Sequence, residues 1–470
     1  MTKTPKTEAP EMLRKRKEKE VKQLRMLEKE RAKPKGNGYL FYMIALIAVA
    51  YMVDEITSNI NTMMQSEIAI ALFGDRLSIM SLASMLTLPL LAFAIVYRTL
   101  ADKIGRKPIL CMNLLGMAFA LFFILLAGKL AGIGGIVLYM IAVSVANFFI
   151  PNDTQVLYLM ESVPEGKRAT YVAITKACGN LAIMVIPLMR SIFMGSDITK
   201  WYLVYLVPAV IAIAASVLCF MTLRETDVFI EQRIAWLNLP DEARKSQTNN
   251  KKKDDSHAQG GLGAAFRFSF RDKQLKWIFI CVMLYGIGAC GFSYYSKIMD
   301  VYYTTEEVTT GLMVYPISFA LGTFLGGLLS DKFGRKATVV TFGSASLLSF
   351  IVFVISCIAG ASPVIPGLAV GLYMGTFYAA GETLSCMMAG ESAPTNLRAS
   401  IMSACSIMNM AGKMLSSMIP TILLLVTGDN YDYLPWICAF GAIPTMALTL
   451  FFVIKNIRDT TNADLTSGSV

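Results

Sequence analysis

Histidine is almost missing from this 470-residue chain: there is one, His257. That removes proton relays through imidazole and, with no clustered ligands elsewhere, a metal centre. Charged residues make up only 16%, against about 25% in a soluble domain. Neither a phosphate-binding glycine loop nor a nucleophile elbow is present, so an enzyme fits poorly and no cofactor is implied. The nine cysteines all fall in apolar stretches without paired spacing, which argues against zinc and structural disulfides. A buried cysteine is a small hydrophobe. Alternation with a period of two is also lacking, which argues against a β-barrel.

What is abundant is apolar sequence, 55% of the chain. Runs of roughly 20 such residues are long enough to span a bilayer. Twelve are legible, near 40–64, 77–97, 109–128, 133–157, 169–191, 202–223, 277–298, 311–330, 337–359, 364–389, 399–426 and 434–455. In lipid the backbone must satisfy its own polar groups, so the spans are expected to be helices. The net charge of +10 could suggest nucleic acid, but its placement does not. Of 43 Lys and Arg, 36 fall on one side of the twelve-span scheme. The other seven are Arg76, Lys129, Lys176, Arg190, Lys200, Lys297 and Lys413. By the positive-inside rule both termini are cytoplasmic, in a multi-pass protein of the cell membrane. The first 38 residues are too charged for a cleaved signal peptide.

Three patterns recur in order. Asp102-Lys-Ile-Gly105-Arg106-Lys107 returns as Asp331-Lys-Phe-Gly334-Arg335-Lys336, an offset of 229. Glu161-Ser-Val-Pro164 through Arg168 returns as Glu391-Ser-Ala-Pro394 through Arg398, an offset of 230. More weakly, Arg224-Glu225-Thr226 returns as Arg458-Asp459-Thr460, an offset of 234. The chain is therefore two copies of one unit, with a period too long for a solenoid. Many secondary transporters are built from two such halves, with the solute held between them.

The expected organisation is a charged tail (1–38), a six-helix bundle (39–223), a linker (224–276), a second bundle (277–456) and a short tail (457–470). The Lys/Glu-rich tract 8–33 reads as a solvated helix or as disordered, able to meet anionic lipid heads. Val228–Leu237 puts Ile230, Ile234 and Leu237 on one face, as an interfacial helix would. Residues 241–260 read as a disordered linker. A second amphipathic stretch runs from Phe266 to Lys276.

The repeated turn resembles the G-x-L-a-D-x-x-G-R-K signature of the major facilitator superfamily, over about residues 39–456. The resemblance implies an all-α membrane fold. Twelve transmembrane helices would form two pseudo-symmetric six-helix bundles around a cavity, working by alternating access. The second copy of the signature is complete: Gly327, Leu329, Asp331, Gly334, Arg335, Lys336. The first departs at its start, where Arg98 replaces the glycine. The Glu-x-x-Pro-x-x-x-Arg pattern is similar to the sugar, polyol and organic-acid branches, the metabolite:proton symporters. The glycine-rich span-five motif of antiporters is missing, and span seven lacks the paired Gln of sugar porters.

The chemistry of the turns can be stated directly. Gly105 and Gly334 permit tight-turn backbone angles. Asp102 and Asp331 can sit at the positive end of a helix. Arg106 and Arg335 can bond carboxylates bidentately, with Glu161 and Glu391 as natural partners. Such pairs are expected to hold the bundles together at the cytoplasmic face and to break on opening.

Ionisable groups inside a span are functional candidates, because they cost several kcal/mol unless paired or hydrated. Asp54 lies near mid-bilayer, where proton-coupled sugar porters resemble this chain in carrying an acid. It is either a proton carrier or a fixed, paired carboxylate. Glu55 points about 100° away from it. Asp153 and Lys176 are expected at similar depth, as a structural pair or a coupling pair. Glu382 and Lys413 occupy the corresponding helices of the second half. Lys413 could meet a substrate carboxylate, or bridge through water to Glu382. Asn180 and Asn409 sit at nearly equivalent positions, and with Asn147, Asn152, Tyr294, Tyr295 and Tyr378 they could line a polar-solute site.

The expected function is a secondary transporter for a small polar solute, driven by protons, monomeric, with the lipid bilayer and no nucleic acid as its setting. Two other readings stay open: a drug-efflux antiporter and a non-transporting nutrient sensor on the same fold.

Overall fold

The computed structural model describes residues 10–32, 38–85, 97, 104–130, 132–149, 154–163, 168–195, 197–240, 262–394 and 398–460. Ten described helices are long and apolar enough to cross a bilayer, from Tyr39–Met63 to Tyr431–Asn456. Ile133–Phe149 is a shorter apolar helix, and span two is described over Leu77–Met85. No strand occurs among the described residues. This is a multi-pass, all-α membrane protein, its spans arranged as two pseudo-symmetric six-helix bundles.

The repeat is visible in the backbone. Spans three and nine, Arg106–Lys129 and Arg335–Ile358, both begin straight after a glycine of positive φ, 122° at Gly105 and 91° at Gly334. L side chains rarely adopt those angles, which is why glycine recurs there. Spans five and eleven begin at Arg168 and Arg398. Spans eight and ten, Thr305–Phe333 and Val364–Glu382, press together along Gly367, Gly371 and Gly375. A Cβ on any of them would collide with the backbone of span eight, so small residues at four-residue spacing set this contact.

The apolar core shows how the halves meet. Near the face that carries both termini, the tail face, each half has its own core. Met43, Ile47, Leu110 and Leu114 belong to the first, Leu275, Phe279, Ile401 and Val453 to the second. Near the opposite, far face, one core runs through both halves, from Ile60, Met63 and Ile68 to Tyr295, Tyr315 and Met446. The two bundles are thus fused at the far end.

The N-terminal segment departs from expectation. Pro10–Arg31 is a helix packed on the linker helix Asp227–Asn238. Leu24 and Leu27 meet Phe229, Ile230, Ile234 and Leu237, so the face expected to lie on lipid is covered by protein instead. Glu30 adds polar contacts, its carbonyl accepting from Arg224 Nη2 at 2.5 Å and its Oε1 from the Glu225 backbone N–H at 3.3 Å. The stretch Phe266–Lys276 divides at Asp272, whose carboxylate caps the next helix through the N–H groups of Gln274 and Leu275. The linker stretch 241–260 lies outside the described residues.

Candidate translocation site

At the tail face each half carries the same arrangement. In the first, Arg106 Nη2 meets Glu161 Oε1 at 3.0 Å, and Thr226 Oγ1 donates to Glu161 Oε2 at 2.6 Å. The Glu225 carboxylate accepts the N–H of Arg106 at 2.9 Å and that of Lys107 at 3.3 Å, so it caps span three. A Cβ on Gly105 would occupy the place of Glu225 Oε2, a second reason for glycine. Burial pushes the Glu225 carboxyl above its usual range, against the pull of the N–H bonds it accepts from Thr226, Lys107 and Arg106. In the second half, Arg335 Nε meets Glu391 Oε1 at 3.2 Å and Thr460 Oγ1 donates to Glu391 Oε2 at 2.5 Å. Lys336 N–H donates to Asp459 Oδ1 at 3.3 Å.

These contacts correct one expectation. The carboxylates do pair with the arginines, but each pair lies inside one half, so neither joins the two bundles. The reason is the loop geometry: the turn into span three and the end of span four belong to the same six-helix unit. Asp102 and Asp153 lie outside the described residues, as do the side chains of Arg168, Asp331 and Arg398.

The far face is where the halves lock, mostly through residues that were not among the candidates expected from the sequence. Lys297 of span seven meets Asp75 Oδ1 at 3.1 Å and Ser66 Oγ at 3.2 Å, and stands over the Tyr431 ring at 4.1 Å. Ser78 bonds both oxygens of Asp429 at 3.0 and 2.7 Å. Ser296 Oγ donates to the Met63 carbonyl at 3.2 Å. Behind them Arg190 and Glu67 form an almost fully buried ion pair. Arg190 and Lys297 were two of the seven cations on the wrong side of the charge asymmetry, the one signal that could have flagged them.

Tyr294 belongs to this seal. Its hydroxyl bonds Thr421 Oγ1 at 2.8 Å and reaches Ser81 Oγ at 3.4 Å across the halves. Tyr295 is fully buried and stacks on Tyr315. Neither lines an open cavity.

Midway along the bundle, Lys176 of span five meets Glu382 of span ten at 3.3 Å, across the two halves. From the sequence both are expected to find partners within their own halves, which a helical repeat favours but a shared cavity does not. Both side chains are reachable by solvent, 38% and 57% exposed. Since the far end is sealed, that access comes from the tail side. The Lys413 ammonium stands 5.2 Å from the Tyr378 ring, a cation–π contact, with the Glu382 carboxylate among its charged neighbours. Asn180 Nδ2 donates to Thr323 Oγ1 of span eight at 3.0 Å. Asn409 is half-buried, where spans seven and eleven close on Gly286. Glu55 and Asn59 approach at 3.4 Å, and Asn59 Oδ1 accepts from Tyr315 of the second half at 3.4 Å. Asp54 faces the other way, as the helical wheel requires, and Oδ2 accepts from the buried Gln155 amide of span four at 2.7 Å.

A solvent-reached polar belt between two membrane bundles, sealed at one end, defines a membrane transporter and not an enzyme. The sequence matches the Major Facilitator Superfamily model over residues 36–417 and 303–467, and the chain belongs to that family. No curated protein matches it. Among solved structures it is similar to a D-xylose–proton symporter, with TM-score 0.64 and 14% identity over 91% of this chain and 99% of that one. It is also similar to the E. coli xylose transporter XylE in an inward-open conformation (TM-score 0.62, 15% identity, 91% and 98% covered). The E. coli fucose:proton symporter FucP matches with TM-score 0.52 and 12% identity over 89% and 99%. At these identities the likeness is one of fold.

Proposed function

We propose that this protein is a proton-coupled symporter for a sugar, polyol or organic acid, lying in the cell membrane with both termini cytoplasmic. The observation that carries the reading is the Lys176–Glu382 pair: opposite charges on opposite halves, at mid-depth and open to water. Exposed charges in an apolar bundle are costly unless they serve a polar solute. Lys413, Tyr378, Asn180 and Asn409 surround the path with donors, acceptors and an aromatic face, the groups that hold hydroxylated or carboxylated solutes. The solute would displace or bridge the Lys176–Glu382 pair, and its release would let the pair re-form. An amphiphilic drug would need a more apolar wall. A sensor would need no such path.

Asp54 is the proposed proton carrier. An amide partner suits that role, because Gln155 can donate to the carboxylate or, turned over, accept from the carboxyl. The tail-face clusters stiffen each bundle so that it rocks as a body. The test is uptake of labelled sugars, polyols, organic acids and amphiphilic dyes into proteoliposomes under an imposed pH gradient. Accumulation of a polar solute that collapses with the gradient supports the reading. Asp54→Asn should abolish accumulation but keep counterflow exchange, which moves no net proton. Extrusion of dyes without uptake of any polar solute would overturn it.

A further inference from the structure

The helix that opens span two, Leu77–Met85, is capped by the other half of the protein. Its first N–H groups have no partner within the helix, as at any helix start. The Leu77 N–H donates to the Tyr431 hydroxyl at 3.2 Å, and the Ser78 N–H to Asp429 Oδ1 at 3.0 Å. Ser78 Oγ donates to Asp429 Oδ2 at 2.7 Å. The Tyr431 hydroxyl donates in turn to the Asp75 carbonyl. Both caps come from the turn between spans eleven and twelve, so both leave when the halves part at the far end.

A cap from span two's own half stands beside them. Asp75 lies two residues before Leu77 and three before Ser78. Asp272 has the same spacing to Gln274 and Leu275, and it caps both at 3.0 and 2.8 Å at the start of span seven. The two aspartates differ in backbone. Asp272 is extended, at φ −71° and ψ 131°, whereas Asp75 is left-handed at φ 58°, after Gly74 at φ 63°. The Asp75 carboxylate turns instead to Lys297 of the second half, 3.1 Å from the ammonium. Lys297 also bonds Ser66 Oγ at 3.2 Å and stands over the Tyr431 ring at 4.1 Å, so one cation holds both Asp75 and Tyr431.

We propose that Asp75 exchanges partners as the far end opens, leaving Lys297 and taking over the cap of span two. Lys297, Asp429 and Tyr431 all belong to the second half, so one movement frees the Asp75 carboxylate and the Leu77 and Ser78 N–H groups together. Asp75 then returns to an extended backbone and accepts from both, as Asp272 does from its own helix. Span two is capped in either state, and the open state gains a contact that the closed state lacks. The exchange concerns the far end alone and holds whatever solute or ion is carried.

The test uses the full chain in detergent, in a Cys178→Ala background, because Cys178 is the one cysteine among the described residues that is not buried. Spin labels at Ile133→Cys and Thr305→Cys report the width of the far end. Lys297→Met removes the group that holds Asp75 and should open the far end. In that variant Asp75 acts on the open state alone. Adding Asp75→Gly should then close the far end again, raising the closed-to-open ratio at least about fivefold, as loss of one hydrogen bond from the open state would. Adding Asp75→Asn, which keeps an acceptor for the cap, should leave the ratio within about twofold. Should Lys297→Met fail to fold, Lys297→Gln takes its place. A ratio that Asp75→Gly leaves unmoved or lowers would mean a plain ion-pair lock and overturns the proposal. A ratio raised equally by Asp75→Gly and Asp75→Asn overturns it too and assigns the effect to charge repulsion.

Discussion

Thr460 donates its hydroxyl to Glu391 at 2.5 Å, as Thr226 donates to Glu161 at 2.6 Å 234 residues earlier. The weakest of the three repeats in the sequence is thus part of the same structural unit as the strongest. Each half folds its last residues back under the Arg–Glu pair of its own rim. Thr460→Val and Thr226→Val should each lower stability by about 1.5 kcal/mol, the worth of a hydrogen bond to a charged group. Thermal unfolding in detergent reads this. A loss in one half only would mean that the two rims share geometry without sharing energetics.

Arg335→Ala removes the cation that Glu391 holds at the tail face. Because the pair is internal to one bundle, it stiffens a moving body without touching solute. Turnover should fall at least about tenfold, a loss of about 1.4 kcal/mol, while solute affinity stays within twofold. Initial uptake rates set against equilibrium binding separate the two. A loss of affinity equal to the loss of rate would place Arg335 at the solute instead.

The Lys176–Glu382 pair is exposed, so breaking it should move thermal stability by less than about 1 kcal/mol. Uptake should respond far more. Lys176→Met and Glu382→Gln are each expected to reduce it at least about tenfold, about 1.4 kcal/mol of solute interaction. Transport near the level of the unaltered chain in both variants would remove the pair from the path.

Much of the fold was legible because lipid leaves the backbone few choices. Spans, the two halves and the glycine turns at Gly105 and Gly334 all follow from local sequence. The partners of charged side chains were less legible. Glu161 and Glu391 could be matched to Arg106 and Arg335, because the repeat puts them at fixed positions in one unit. Glu382 could not be matched to Lys176, because that contact depends on how two separate bundles lean together. The Lys297–Asp75 and Ser78–Asp429 contacts of the far-face lock were hidden for the same reason. Leu24 and Leu27 look too sparse for a packed helix until the face of Asp227–Asn238 is seen opposite them.

Lys413 is proposed to divide neutral from anionic solutes. Its ammonium stands 5.2 Å from the Tyr378 ring, a cation–π contact. Lys413→Gln should weaken uptake of organic acids at least about tenfold, about 1.4 kcal/mol, and leave sugars and polyols within about twofold. Uptake of the same panel by both proteins checks this. Equal loss across the panel would make Lys413 a packing residue of span eleven.

Alternation of the two bundles is tested most directly by the widths of both ends in one sample. Spin-label pairs would span the far end, at Ile133 and Thr305, and the tail end, at Thr222 and Lys455. The far end is closed in the structure described, so the resting protein should be narrow there and wide at the tail. Adding solute and lowering the sodium-free buffer from neutral to acidic pH should change the two widths in opposite directions. Widths that rise or fall together, or a tail end that never moves, would contradict alternating access by rocking halves.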